Sequence, residues 1–129
     1  MNNNDKKKRI LIVDDEQDIT FALRIALEPN GFEVDTFNDP LEALSNFKAG
    51  LYNLLLIDIK MPKMNGFELY NEMRKIDNRV KLCLITAFDI QKEALKAAIP
   101  ELNAEKTVII KKPIKTVDLA KSVAQKIEE

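Results

Sequence analysis

Four apolar runs of strand length constrain this chain more than any other feature of its sequence. They are Ile10–Val13, Leu54–Ile57, Leu82–Ile85 and Val108–Ile110. Runs without polar alternation are typical of strands that are covered on both faces. A fifth run, Glu33–Phe37, mixes acidic with apolar residues and predicts a strand with one exposed side. The chain is therefore expected to form a sheet of five strands.

Segments with helical periodicity separate these strands and follow the last one. Their apolar residues lie on one face of a helix in five places, around Ile19–Leu27, Leu41–Phe47, Phe67–Met73, Ile90–Ile99 and Ala120–Ile127. Asp39 is expected to cap the second helix, Pro100 to stop the fourth and Thr116 to cap the fifth.

Strict alternation of strands and helices predicts an α/β fold, with a parallel sheet and helices on both faces. The first and third strands are continuously apolar and carry the acidic residues described below, so we place them as central neighbours. A flavodoxin-like, doubly wound sheet with strand order 2-1-3-4-5 satisfies this placement and opens a crevice where the order reverses.

Polar side chains close four of the five predicted strands. Asp14 and Asp15 follow the first strand and Asp58 follows the third. Thr86 follows the fourth, and Lys112 lies just beyond the fifth. Parallel strands point their carboxyl ends toward the same edge of a sheet. We therefore expect these five residues to converge on one rim.

Such a rim is equipped for phosphoryl transfer. Three carboxylates a few ångströms apart repel one another by several kcal/mol, and Mg²⁺ prefers oxygen ligands of this kind. An aspartate can also be a covalent nucleophile, while Lys112 and Thr86 could stabilise phosphoryl oxygens. Taken singly, Asp14 could be a helix N-terminal charge, Thr86 a strand-end or capping residue and Lys112 a solvated lysine. The joint pattern is more specific than any member.

Composition excludes several classes of function. The 129 residues suit one domain, at residues 9–129, preceded by a polar and basic tail at residues 1–8. A net charge of −1 argues against direct nucleic-acid or membrane binding.

The chain has no histidine, so histidine metal sites and Ser-His triads are excluded. Its lone Cys83 is expected in the core. With no apolar segment for a signal peptide, a cytoplasmic location is expected.

Four motifs together resemble the receiver domain of two-component response regulators, over Arg9 to Ile127. They are Ile10–Glu16, Leu55–Gly66, Ile85–Ala87 and Lys112–Pro113. The resemblance implies a signalling phosphoacceptor rather than an enzyme, in which Asp58 receives a phosphoryl group from a histidine kinase or phosphotransfer protein. It implies that Asp14, Asp15, Asp58 and the main-chain carbonyl of Lys60 hold Mg²⁺, and that Thr86 and Lys112 contact the phosphoryl group. It also implies a cis bond before Pro113.

Two departures from the family pattern bear on output. Ile109 stands where the family usually has Tyr or Phe, and Pro100–Thr107 replaces a shorter Gly-containing loop. We therefore expect output through the loop after Thr86 and the fourth helix. The surface for the output partner is expected on the fourth helix, fifth strand and fifth helix, with a homodimer as one form.

Two alternatives remain. One is a receiver-like interaction module that works without phosphorylation. The other is a haloacid-dehalogenase-type phosphotransferase, which is disfavoured because Lys60 stands where that class has a second aspartate.

Overall fold

A computed structural model describes residues 7–102 and 107–129 of the chain. Within these residues, five strands form one parallel sheet in the order β2-β1-β3-β4-β5. The strands are β1 (Arg9–Val13), β2 (Glu33–Phe37), β3 (Leu54–Asp58), β4 (Lys81–Thr86) and β5 (Val108–Lys111). The sequence-based prediction of the fold, its strand order and its flavodoxin-like winding is confirmed.

Helices cover both faces of this sheet. Across the described residues they are α1 (Gln17–Leu27), α2 (Pro40–Asn46), α3 (Gly66–Ile76), α4 (Lys92–Ala98) and α5 (Leu119–Glu128), with a short 3₁₀ turn after α1. Successive strand residues point to opposite faces. Leu11 and Val13 pack in the core beneath α2, α3 and α4. Ile10 and Ile12 pack in the other core, beneath α1 and α5.

The helix boundaries depart from the prediction in two places. Thr116 is not the cap of α5, which begins at Leu119 with Asp118 at the capping position. Thr116 contacts the start of this helix through its main chain, because its carbonyl accepts a hydrogen bond from the Leu119 N–H at 3.3 Å. α4 is shorter than the predicted segment and ends at Ala98, because Ile99 precedes a proline and leaves the helical conformation.

The second helix has its predicted cap, and Leu44 and Phe47 of its predicted apolar face pack against the core, but Leu41 does not. The Asp39 carboxylate accepts a hydrogen bond from the Leu41 N–H at 2.9 Å. The Leu41 side chain is exposed, whereas Pro40 and Ala43 are the buried residues of α2. Cys83 lies in the core as expected, where burial raises the pKa of its thiol to about 12.

Two of the predicted segments extend beyond the described residues. The tail at residues 1–8 and the loop Pro100–Thr107 are described only for residues 7–8, 100–102 and 107. None of the helices within the described ranges combines the length and the apolar character that crossing a bilayer requires.

Candidate functional site

The carboxyl ends of the parallel strands bring the predicted site residues to one edge of the sheet. Asp14 follows β1, Asp58 is the last residue of β3, and Thr86 is the last residue of β4. Lys112 follows β5, and its N–H donates to the Thr86 carbonyl at 2.8 Å. The sheet therefore assembles residues that are up to 98 positions apart in the chain.

Asp14 is fully buried, directly after β1 and close to the start of α1. Its Oδ1 accepts a hydrogen bond from the Glu16 N–H at 2.9 Å. No donor among the described residues forms a well-aligned hydrogen bond to its Oδ2, which lies 3.1 Å from Nζ of Lys112. Burial is the main reason that the pKa of Asp14 is raised. A buried carboxylate oxygen that has an ion-pair partner but no aligned hydrogen bond is suited to bind a cation.

Asp58 is only 4% exposed, and this burial dominates its electrostatics. Burial, followed by the nearby charge of Asp14, raises its pKa to about 6 from an ordinary 3.8. Lys112 opposes this increase from 3.4 Å, and the Lys60 N–H opposes it by hydrogen bonding. Near neutral pH the carboxylate is still mostly ionised, so it can act as a nucleophile.

Gly66 lets the start of α3 approach the main chain of Asp58 closely. A Cβ at this position would lie 2.3 Å from the Asp58 carbonyl oxygen, well inside van der Waals contact. The Gly66 N–H donates to the Ile59 carbonyl at 2.7 Å. Asn65 and Glu68 form a reciprocal capping box that starts this helix. This motif is visible as Asn-x-x-Glu in the sequence, although it was not part of the prediction.

Lys112 lies among three carboxylates. Its ammonium nitrogen is 2.7 Å from Glu16, 3.1 Å from Asp14 and 3.4 Å from Asp58. Burial alone would lower the pKa of Lys112, but the hydrogen bond to Glu16, the close contact with Asp14 and the charges of Asp14 and Asp58 raise it overall. Lys112 is therefore a permanent cation at the centre of the acidic rim, rather than a solvated lysine.

Glu16 is the contact residue that the sequence prediction missed. Its carboxylate belongs to the acidic run after β1, but only the tertiary structure brings Lys112 against it. Carboxylate oxygens of Asp14, Asp15 and Glu16 lie within 4.8 Å of one another. This set differs from the predicted one, which had Asp58 and the Lys60 carbonyl in place of Glu16. An all-oxygen cluster at an open rim fits a hard divalent cation such as Mg²⁺.

Thr86 is buried at the end of β4, and its hydroxyl is engaged with the following loop. Its Oγ1 accepts a hydrogen bond from the Phe88 N–H at 3.0 Å. Phe88 itself is 53% exposed, and Nζ of Lys60 lies 5.0 Å from the centroid of its ring. Lys60 therefore does not extend freely into solvent, because it covers an aromatic ring beside the rim.

β5 is an outer strand, and Ile109 lies on its exposed side. The Ile109 side chain is 38% exposed, whereas Ile110 packs against the core beneath α1 and α5. Lys111, also exposed, forms an ion pair with Asp89 in the loop after β4. The bond between Lys112 and Pro113 is cis, as the resemblance implied.

Comparisons with known proteins agree with this geometry. A family model described as the response regulator receiver domain matches residues 10–124. The response regulator receiver protein CpdR of Brucella abortus is 33% identical over 117 residues, covering 90% of this chain and 93% of that protein. The transcriptional regulatory protein CpxR homolog of Haemophilus influenzae is 43% identical over 79 residues, or 61% of this chain.

The extent of each match differs between relatives. The aligned part spans about a third, 34%, of the CpxR homolog. Among solved structures, a CheY-like response regulator receiver domain protein from Methanospirillum hungatei JF-1 superimposes with a TM-score of 0.81 and 32% identity, covering 95% of both chains. With its parallel sheet, its acidic rim and a family match over nearly its whole length, the chain belongs to the response regulator receiver domain family.

Proposed function

We propose that Asp58 accepts a phosphoryl group and that this modification switches a partner-binding surface in two-component signalling. The observation that carries the proposal is the position of Asp58. It is a buried carboxylate at a strand end, 3.4 Å from the Lys112 ammonium and beside Asp14. A carboxylate whose charge is poorly solvated and that faces a fixed cation is suited to become an acyl phosphate.

In the proposed transfer, an Asp58 oxygen attacks phosphorus on the phosphohistidine of a histidine kinase or phosphotransfer protein. The new O–P bond forms while the N–P bond breaks, and the histidine nitrogen keeps the electron pair. Asp14, Asp15, Asp58 and the main-chain carbonyl of Lys60 would hold Mg²⁺, which offsets the negative charge of the transferring group. Under this proposal, the protein is a phosphoacceptor that assists its own phosphorylation and dephosphorylation. It does not act as an enzyme on a separate substrate.

Lys112 and Thr86 would stabilise the product. The Lys112 ammonium already lies between Glu16 and Asp58, so a small displacement would bring it to a phosphoryl oxygen. The Thr86 hydroxyl accepts a hydrogen bond from Phe88, and its own proton can be donated to the phosphoryl group. These two contacts would strengthen only after transfer.

The proposed output surface comprises α4, β5 and α5, with a homodimer as one form. β5 is the outer strand on this side, and the loop between β4 and α4 carries both Phe88 and the ion pair of Asp89 with Lys111. Phosphorylation would shift the populations of this loop and of α4. Amide exchange with and without beryllofluoride and Mg²⁺ tests this output, and changes confined to Asp14, Asp15 and Asp58 would contradict it.

Phosphorylation itself is tested by incubating the chain with Mg²⁺ and acetyl phosphate and measuring intact mass. We expect the mass of one phosphoryl group to be added to the wild type and not to Asp58→Asn. Asp89→Asn is the matched control, because this aspartate also follows a strand but is highly exposed. A full mass gain in Asp58→Asn would contradict the assignment. No gain in the wild type would favour the receiver-like interaction module.

A further inference from the structure

Lys60 and Phe88 form a contact directly beside the proposed acceptor. Lys60 lies two residues after Asp58, and Phe88 lies two residues after Thr86. Because β3 and β4 are neighbours in the sheet, the two side chains extend from adjacent loops on the same rim. The Lys60 ammonium lies 5.0 Å from the centroid of the Phe88 ring, within the range of a cation–π interaction.

The main chain of Phe88 is attached to the same rim. Its N–H donates to Oγ1 of Thr86 at 3.0 Å, and the Thr86 side chain is buried. Phe88 is thus held through its ring by Lys60 and through its backbone by Thr86. Thr86 is one of the residues proposed to contact a phosphoryl group on Asp58, and the Lys60 side chain starts only two residues after Asp58. The aromatic ring therefore depends on two groups whose preferred partner changes when Asp58 is modified.

The Lys60 ammonium can contact either the Phe88 ring or a phosphoryl group on Asp58, and it should prefer the phosphoryl group. An exposed cation–π contact is weak, whereas an ammonium forms strong, charge-assisted hydrogen bonds with a phosphoryl group. A phosphoryl group carries close to two negative charges at neutral pH, which a neutral ring cannot match. Lys60 would therefore leave the ring for the phosphoryl oxygens once Asp58 is modified.

We propose that the Lys60–Phe88 contact is a latch, closed while Asp58 is unmodified and released by its phosphorylation. This inference rests on the proposed phosphorylation of Asp58. Release would free the ring together with the loop that leads into α4. Phe88 and Lys60 already line a groove of about 370 Å³, and its other apolar walls, Ile59, Phe67 and Ile90, offer the released ring further contacts.

The closed latch is tested by a double-mutant cycle. Lys60→Met removes the cation but keeps the length of the side chain, and Phe88→Leu removes the ring but keeps an apolar residue. Lys60→Arg retains the cation. Lys63→Met is the matched control, because Lys63 lies in the same loop and forms an ion pair with Asp39 instead. Amide exchange of residues 87–91 and the NMR shifts of residue 88 report the latch, each measured with and without beryllofluoride and Mg²⁺.

We expect Lys60→Met to increase loop opening about two- to fivefold in the absence of beryllofluoride, the range for losing one exposed cation–π contact. Lys60→Arg and Lys63→Met should match the wild type, and Lys60→Met should add nothing when Phe88 is already leucine. Beryllofluoride should open the loop of the wild type and have a smaller effect in Lys60→Met.

Two results would overturn the latch while leaving the proposed function intact. One is a Lys60→Met variant whose loop behaves like that of Lys63→Met. The other is a wild type that gains the phosphoryl mass from acetyl phosphate but shows unchanged Phe88 ring shifts with beryllofluoride. A wild type that gains no phosphoryl mass would overturn the proposed function, and the latch with it.

Discussion

Asp58→Asn should stabilise the fold in the absence of divalent cations. The Asp58 side chain is 6% exposed and lies next to the buried Asp14, so its charge is poorly solvated and repelled. Lys112 compensates for only part of this cost, since the pKa of Asp58 stays above its ordinary value. Asparagine has nearly the same shape and no charge. The substitution therefore removes the unfavourable ionisation and preserves the packing.

The magnitude follows from the pKa of Asp58. In the folded protein this value is about 6, compared with an ordinary value of 3.8, a difference of about 2 pH units. Each pH unit corresponds to about 1.4 kcal/mol, so ionised Asp58 lowers the free energy of unfolding by about 3 kcal/mol at most. Asp58→Asn should recover most of this amount at pH 7.5.

The sign of the pH dependence distinguishes this cause from a change in packing. Because the folded-state pKa is raised, the penalty is fully present above about pH 6 and disappears as the pH falls below about 4. Urea unfolding is followed by far-UV circular dichroism with a chelator present. It measures the free energy of unfolding of Asp58→Asn and of the wild type at pH 7.5 and 4.5. Saturating Mg²⁺ should reduce this difference in the free energy of unfolding at pH 7.5, because it stabilises the wild type more than the variant.

Asp77→Asn is a control with the opposite sign. Hydrogen bonds from the Gly50 and Arg79 N–H groups lower the pKa of Asp77, so its charge stabilises the fold at neutral pH. This control should be less stable than the wild type at both pH 7.5 and 4.5, with the loss shrinking only below about pH 4. An Asp58→Asn variant that is no more stable than the wild type at pH 7.5, or whose gain is the same at pH 4.5, would refute the electrostatic reasoning.

Three further variants probe the rim, and Gly50→Ala is the control for the first of them. Gly66→Ala should cost about 1–3 kcal/mol of stability and reduce phosphorylation by acetyl phosphate, because its Cβ would displace the Asp58 main chain. Gly50→Ala, at a φ of +80° in open space, should reduce stability alone. Asp15→Asn should weaken Mg²⁺ binding about tenfold or more in calorimetry through the loss of one ligand charge, and unchanged affinity would exclude Asp15 as a ligand. Lys60→Ala should change the lifetime of the phosphorylated form severalfold, whereas an unaltered hydrolysis rate would show that its ammonium does not contact the phosphoryl group.

The arrangement of the rim follows from patterns that are local in the sequence. Apolar runs such as Leu54–Ile57 specify buried strands, and their alternation with helices specifies a parallel sheet. Parallel strands end at one edge, so residues placed at strand ends, such as Asp58 and Thr86, meet there whatever the loops do. The cis bond before Pro113, by contrast, was expected only because the motifs resemble the receiver family.

Contacts between loops were decided only by the tertiary structure. Neighbouring Asp14 and Asp15 look equivalent in the sequence, yet the first is fully buried and the second is exposed, because successive residues leave a strand in opposite directions. The contact of Lys112 with Glu16 joins residues 96 positions apart. No local pattern specifies such a pairing, since long polar side chains choose partners by the final distances between loops.

Long-range packing also explains where the prediction and the structure differ elsewhere. The sequence by itself determined which residues could carry phosphoryl chemistry and where in the fold they would meet. It did not determine that α5 begins at Leu119, nor that the Lys60 ammonium lies over the Phe88 ring. Strand pairing and core burial involve large free energies that many residues share, so sequence patterns record them strongly. A single loop contact is worth only about 1 kcal/mol, and it exists because the packed sheet has already brought its partners together.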